Sequence, residues 1–136
     1  NILVSLSKEE NRVKLLPALR ELAKMKFKLF ATEDTADFMN ENSVACDKVY
    51  KISTKKEPGV LALIEKGNLD LIINIPTRVS DQESKDGYII RRMAVDLNIP
   101  LITNRQLADS FIMSLAEMKP HSLKSNSLLE YSGRSR

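Results

Sequence analysis

The run LDLIINIP, Leu69 to Pro76, limits the folds open to this chain more than any other stretch. It is apolar at nearly every position, so it does not alternate between an inner and an outer face. Such a run suits a strand covered on both sides, which is the situation of parallel sheets flanked by helices. We read the strand over Leu69 to Ile73, with Pro76 stopping it. Ile2 to Leu6 is a second buried run; Phe27 to Ala31 and Leu101 to Thr103 also read as strands, and Asp47 to Lys51 as a more exposed one. Helical stretches lie between them. Val13, Leu16, Leu19, Leu22 and Ala23 recur on one side of the first. Pro17 within it either delays regular hydrogen bonding to about Val13 or bends the helix. Thr35 to Asn42 carries Ala36, Phe38 and Met39 on a short helix. Pro58 suits the first turn of a helix through Glu65, which Gly67 would end. Thr77 to Asp86 reads as a polar loop, followed by helices over Tyr88 to Leu97 and Gln106 to Met118. Strand and helix alternate throughout, so the fold class is α/β, with a parallel sheet covered on both faces. One domain spans residues 1–119, and residues 120–136 form a Ser-rich, basic C-terminal tail.

Composition removes several functions. The formal charge of +3 is mild and well mixed, which leaves no extended nucleic-acid groove but tolerates an acidic small molecule. The basic tail lacks the interleaved aromatics of a nucleic-acid module. No apolar run approaches the roughly 18 residues of a membrane span, and nothing resembles a signal peptide. The lone Cys46 excludes an intramolecular disulfide and a cysteine-only metal site, and the lone His121 excludes a multi-histidine site within the chain. The chain opens at Asn1 directly before an apolar strand, which reads as a piece of something longer.

The stretch LFATEDTADFMNENSV, Leu29 to Val44, is a strand entering a helix through a threonine-marked turn. Thr32 and Thr35 bracket that junction. In α/β proteins such junctions collect the oxygens of anionic ligands, because free N–H groups and the positive helix end point there. The plainer reading makes both threonines helix-cap residues. On that reading Asn74 is a strand-end turn former and Lys48 a solvated lysine on an edge strand. Arg91 and Arg92 read as one paired and one solvated arginine, with contact to a bound anion or to a neighbouring domain as the alternative.

The runs FKLFATEDTADFMNENSV, LIEKGNLDLIINIP and GYIIRRMAVDLNIPLITN occur in that order and spacing. In them the chain resembles the methylglyoxal-synthase-like family across most of Ile2 to Ala116, and within it the C-terminal domains of carbamoyl-phosphate synthetase large chains. The resemblance implies a three-layer, Rossmann-like fold with a five-stranded parallel sheet and an anion site at the strand C-termini. It implies a regulatory domain that binds a small anionic effector: a nucleotide monophosphate, phosphoribosyl pyrophosphate or N-acetylglutamate. By position it marks Thr32, Thr35, Lys48, Asn74, Thr77 and Ser5 as effector-binding. It implies no catalytic residue, metal or cofactor in this domain; ATP and magnesium belong to the full-length enzyme, where the catalytic domains of the same chain and a glutaminase small subunit are the partners. The setting it implies is cytoplasmic, or mitochondrial for an animal ammonia-dependent synthetase. Where many members have glycine between the two threonines, this chain has Asp34. A carboxylate there is unfavourable beside a phosphate unless it points away or meets a cation.

The family also contains an enzyme. Methylglyoxal synthase abstracts a proton from dihydroxyacetone phosphate and expels phosphate, which needs a carboxylate base and polarising groups. By resemblance, Ser7 and Glu83 stand at or near its histidine positions and Glu57 replaces its catalytic aspartate, while Asp86 is kept. A glutamate is one methylene too long for that task, a displacement of about 1 Å. The expectation is therefore a regulator with a retained anion cradle, with a stand-alone enzyme or a generic anion-binding interaction domain as the alternatives.

Overall fold

The structure, a computed structural model, describes residues 1–76 and 81–118, with residues 81–84 described by their backbone alone. The chain runs β1 (Ile2–Leu6), α1 (Glu9–Lys24), β2 (Leu29–Thr32), α2 (Glu33–Glu41), β3 (Asp47–Val49), α3 (Val60–Glu65), β4 (Leu71–Ile75), α4 (Asp81–Asp96), β5 (Leu101–Ile102) and α5 (Arg105–Glu117). A single 3₁₀ turn, Ile52–Thr54, follows β3. All five strands are parallel, in the order β3-β2-β1-β4-β5.

That order reverses direction at β1. The chain first adds β2 and β3 on one side of β1, then returns to place β4 on the other. Right-handed crossovers then send α1 and α2 to one face and α3 and α4 to the other, while α5, which follows β5, packs back on the first face. The two cores follow this rule. Ile2, Val4 and Leu6 pack with α1, α2 and α5 through residues such as Leu19, Met39 and Ile112. Leu3 and Ile72 pack with α3 and α4 through Val60, Ile64, Ile90 and Ala94. Both faces of β1 and β4 are therefore buried, which is what their unbroken apolar runs require.

Several boundaries differ from the sequence expectation. The strand expected over Leu69 to Ile73 is displaced to Leu71–Ile75, running up to Pro76. Helix α3 starts at Val60 and not at Pro58, because the Pro58 carbonyl accepts from the Tyr50 N–H at 2.8 Å and extends β3's edge instead. Gly67 does terminate this helix, at φ 73°, where a glycine has no steric penalty. Val13 is 54% exposed, not part of the core. Pro17 lies on that same exposed side, four residues on, and α1 continues through it.

The largest difference is α4. The polar segment expected as a loop up to Asp86 is helical from Asp81. Acidic residues in a first turn suit the helix dipole, and nothing between Asp81 and Asp86 breaks a helix. Thr77 lies outside the described residues, as does the expected tail, residues 120–136.

Candidate functional site at the sheet switch point

β1 and β4 are neighbours, and the chain leaves them in opposite directions. The carboxyl ends of such a strand pair form a crevice where open α/β sheets bind ligands. Ser5 stands opposite Asn74 in the β1–β4 register, and Thr32 ends β2 on the other side of β1. A cleft of about 50 Å³ opens here, lined by Ser5, Ser7, Thr32, Lys51, Asn74, Asp86 and Arg91, with Gly87 at its edge. The cleft has room for an oxyanion such as a phosphate group.

The side chains are held from below. Thr32 and Ser5 are buried and their hydroxyls hydrogen-bond at 3.0 Å. One proton serves that bond, so the other hydroxyl proton is left to donate into the cleft. Arg91 reaches from α4 and donates to Asn74 Oδ1 at 2.8 Å. Gly87, one turn earlier on the same helix, makes room for it: a Cβ there would stand 2.8 Å from the Arg91 Nη1. Asn74 is thereby oriented with its carbonyl on the guanidinium and its amide protons left over. Asp86, also buried, accepts from Ser53 Oγ at 2.9 Å. Arg12 donates to the carbonyls of Leu6 and Ser7 at 2.8 and 3.1 Å and fixes the turn leaving β1. Helix α2 starts at this cleft, with Thr32 as its N-cap and no side chain capping it. Its first N–H groups and positive end add to the field of Lys51 and Arg91.

The structure brings together three of the residues named from the sequence: Ser5, Thr32 and Asn74 line the cleft. Thr35 and Lys48 do not. Thr35 is buried beneath it, where its hydroxyl accepts from the Leu6 N–H at 2.8 Å and donates to the Leu6 carbonyl at 3.1 Å. Its proton and one lone pair join α2 to β1. Lys48 pairs with Asp37 at 2.6 Å, and that hydrogen bond raises its pKa. It stands opposite Ala31 in the β2–β3 ladder, below the strand ends. Lys51, three residues on, is beyond the strand end and is the lysine of the cleft. The signal that could have separated them is that ladder, since ligands sit outside strand C-termini, not alongside them. Asp34, the carboxylate in the threonine turn, points to solvent and lies 3.6 Å from the Lys51 ammonium, while Glu33 accepts from the Lys51 N–H at 3.1 Å. Of the two arginines, Arg92 is the solvated one, bonded to Asp96 and Tyr88.

Among the described residues, no group of three or more His, Cys, Asp or Glu could hold a metal, and no helix is long and apolar enough to cross a membrane. Burial pushes the Cys46 thiol up to about 11, with Asp47 and Asp37 adding, so it is protonated at neutral pH.

A family model described as "MGS-like domain" matches residues 14–103. The chain belongs to the MGS-like domain family. Similar curated proteins include the carbamoyl phosphate synthase large chain, C-terminal section, of Methanopyrus kandleri, 34% identical over 120 residues that are 88% of this chain and 22% of that protein. The corresponding section from Methanocaldococcus jannaschii is 33% identical over 134 residues, 98% of this chain and 21% of the relative. A carbamoyl phosphate synthase large chain of Clostridium botulinum is 35% identical over 102 residues, 75% of this chain and 9% of that one. The chain thus spans about a fifth or less of these relatives. A crystal structure of methylglyoxal synthase from Elizabethkingia anophelis superposes with a TM-score of 0.64, covering 82% of this chain and 76% of that one at 18% identity. At that identity the likeness establishes the fold: the MGS-like arrangement of five parallel strands between helices.

Proposed function

We propose that this MGS-like domain is the regulatory section of a carbamoyl-phosphate synthase large chain, and that the switch-point cleft binds the anionic group of a small effector. The observation that carries the reading is the lining of the cleft. Two cations, Lys51 and Arg91, face hydroxyls and an amide in a space sized for one oxyanion, at an uncapped helix start. Against turnover stands the position of Glu57. Its carboxylate accepts from the Gly59 N–H at 3.1 Å and lines a separate surface groove beside Tyr50 and Lys56. The carboxylate that does line the cleft, Asp86, is held by Ser53. A base for proton abstraction needs hydrogen-bond reach of its substrate, and Glu57 lacks it here. The effector is of the nucleotide monophosphate, phosphoribosyl pyrophosphate or N-acetylglutamate type. The section acts on catalytic domains elsewhere in the synthase by binding differently to two of their arrangements. ATP, magnesium and a glutaminase subunit belong to that larger assembly, in a cytoplasmic or mitochondrial setting.

The lysines provide the test. An effector that binds only the folded chain raises its melting temperature, so a thermal-shift screen against these compounds identifies a ligand. With that ligand, Lys51→Met lowers affinity by roughly 10-fold or more and flattens its salt dependence, as expected for a lost charge-assisted contact. Lys48→Met leaves both unchanged. Calorimetry showing the reverse order of effects would move the anion to the β3 edge and away from the cleft.

A further inference from the structure

A larger space lies beside the cleft. Across the ridge made by Ile75 and Pro76 lies a groove of about 410 Å³, lined also by Lys8, Glu10, Asn11, Asn104 and Arg105. That is within the size range of small-molecule sites, roughly 300–1,000 Å³. The two spaces share Ile75 and Pro76, and the adjacent residues Ser7 and Lys8 line one each. The groove therefore lies beside the cleft at the carboxyl edge of the sheet, on the side of α1, α5 and β5.

Its charge is positive. Lys8 and Arg105 enter from the starts of α1 and α5. The facing carboxylate, Glu10, is already engaged by Lys14 at 2.7 Å. That hydrogen bond, with smaller contributions from Lys8 and Arg105, holds the Glu10 carboxyl below its usual range. Helix α1 opens without a side-chain cap. In α5 the Asn104 Oδ1 accepts from the Leu107 N–H at 2.8 Å, which leaves the Asn104 amide protons for a ligand.

We propose that this groove is a second subsite, which takes the second acidic group of a ligand whose first oxyanion occupies the switch-point cleft. The inference rests on the proposed anion-binding role of the cleft and narrows it: the ligand class is a small molecule with two separated acidic groups. Joining two such contacts in one molecule makes the second binding step intramolecular, so affinity rises well above that of either group alone.

The test uses the 136-residue chain, methylphosphonate as a one-group probe, and a series of straight-chain α,ω-diphosphonates of increasing length. Calorimetry is expected to show at least one diphosphonate binding 10-fold or more tighter than methylphosphonate. The double variant Lys8→Ala/Arg105→Ala is expected to return that diphosphonate to the methylphosphonate affinity while leaving methylphosphonate itself unchanged. Arg91→Ala is expected to weaken both probes. If every diphosphonate binds only as well as methylphosphonate, the second subsite is wrong and the cleft stands. The second subsite is equally wrong if the longer probe is tighter but the double variant makes no difference. If neither probe binds, the cleft reading itself fails and the subsite falls with it.

Discussion

Arg91→Ala lowers the affinity of the cleft for a phosphate-bearing effector by about 1.5–3 kcal/mol, the range for a hydrogen bond to a charged group. Arg91 is the cation that reaches the floor of the cleft, and Asn74 holds it at 2.8 Å. A sharper form of the same expectation uses Gly87→Ala. Glycine inside a helix costs roughly 1 kcal/mol relative to alanine, so the substitution favours α4. A Cβ at position 87 would also stand 2.8 Å from the Arg91 Nη1, so the guanidinium must swing off Asn74. The variant is expected to melt at or above the wild-type temperature and yet bind the effector several-fold more weakly. Thermal unfolding and calorimetry on one preparation check both halves. Unchanged affinity in Gly87→Ala together with an unchanged Arg91→Ala would remove Arg91 from the site.

Thr35→Val is expected to act on the fold instead of the ligand. The buried Thr35 hydroxyl accepts from the Leu6 N–H and donates to the Leu6 carbonyl. Valine keeps the shape and removes both bonds. The Leu6 carbonyl keeps its bond from Arg12, while the Leu6 N–H loses its Thr35 partner, so a loss of about 1–3 kcal/mol follows, the cost of one unsatisfied buried polar group. Thr32→Val, by contrast, is expected to weaken effector binding by about 1–3 kcal/mol with a smaller effect on stability. Denaturant unfolding separates the two. Equal stability for Thr35→Val and wild type would mean that the β1–α2 junction is held by packing alone.

The two threonines illustrate how far the sequence can be read. Their place at a strand–helix junction is legible from an apolar run meeting capping residues. Their different roles are not, because one turn of α2 carries Thr35 under the strand end while Thr32 stays at its rim. The buried parallel strands are legible for the same reason as the fold class: residues covered on both faces leave no alternation. Lys48 and Lys51 look alike in sequence, and only the pairing of Ala31 with Lys48 fixes which one passes the strand end. The start of α4 is hidden by its polarity. A helical turn needs favourable propensity and a satisfied terminus, and neither leaves an apolar pattern to find. Its consequence for function is direct. The segment after Asp81, polar enough to suggest a loop, is already a helix, and that one helix delivers Asp86, Gly87 and Arg91 to the cleft.

The measurement that bears most directly on a regulatory role is the rate of carbamoyl-phosphate formation by the synthase proposed to carry this section. It is titrated with the effector found in the thermal screen, with and without residues 1–136. The complete enzyme is expected to change its rate as effector is added. The shortened enzyme, which keeps its catalytic domains, still makes carbamoyl phosphate and does so at one rate across all effector concentrations. A shortened enzyme that responds with the same coupling as the complete one would place the regulatory site elsewhere and contradict the account.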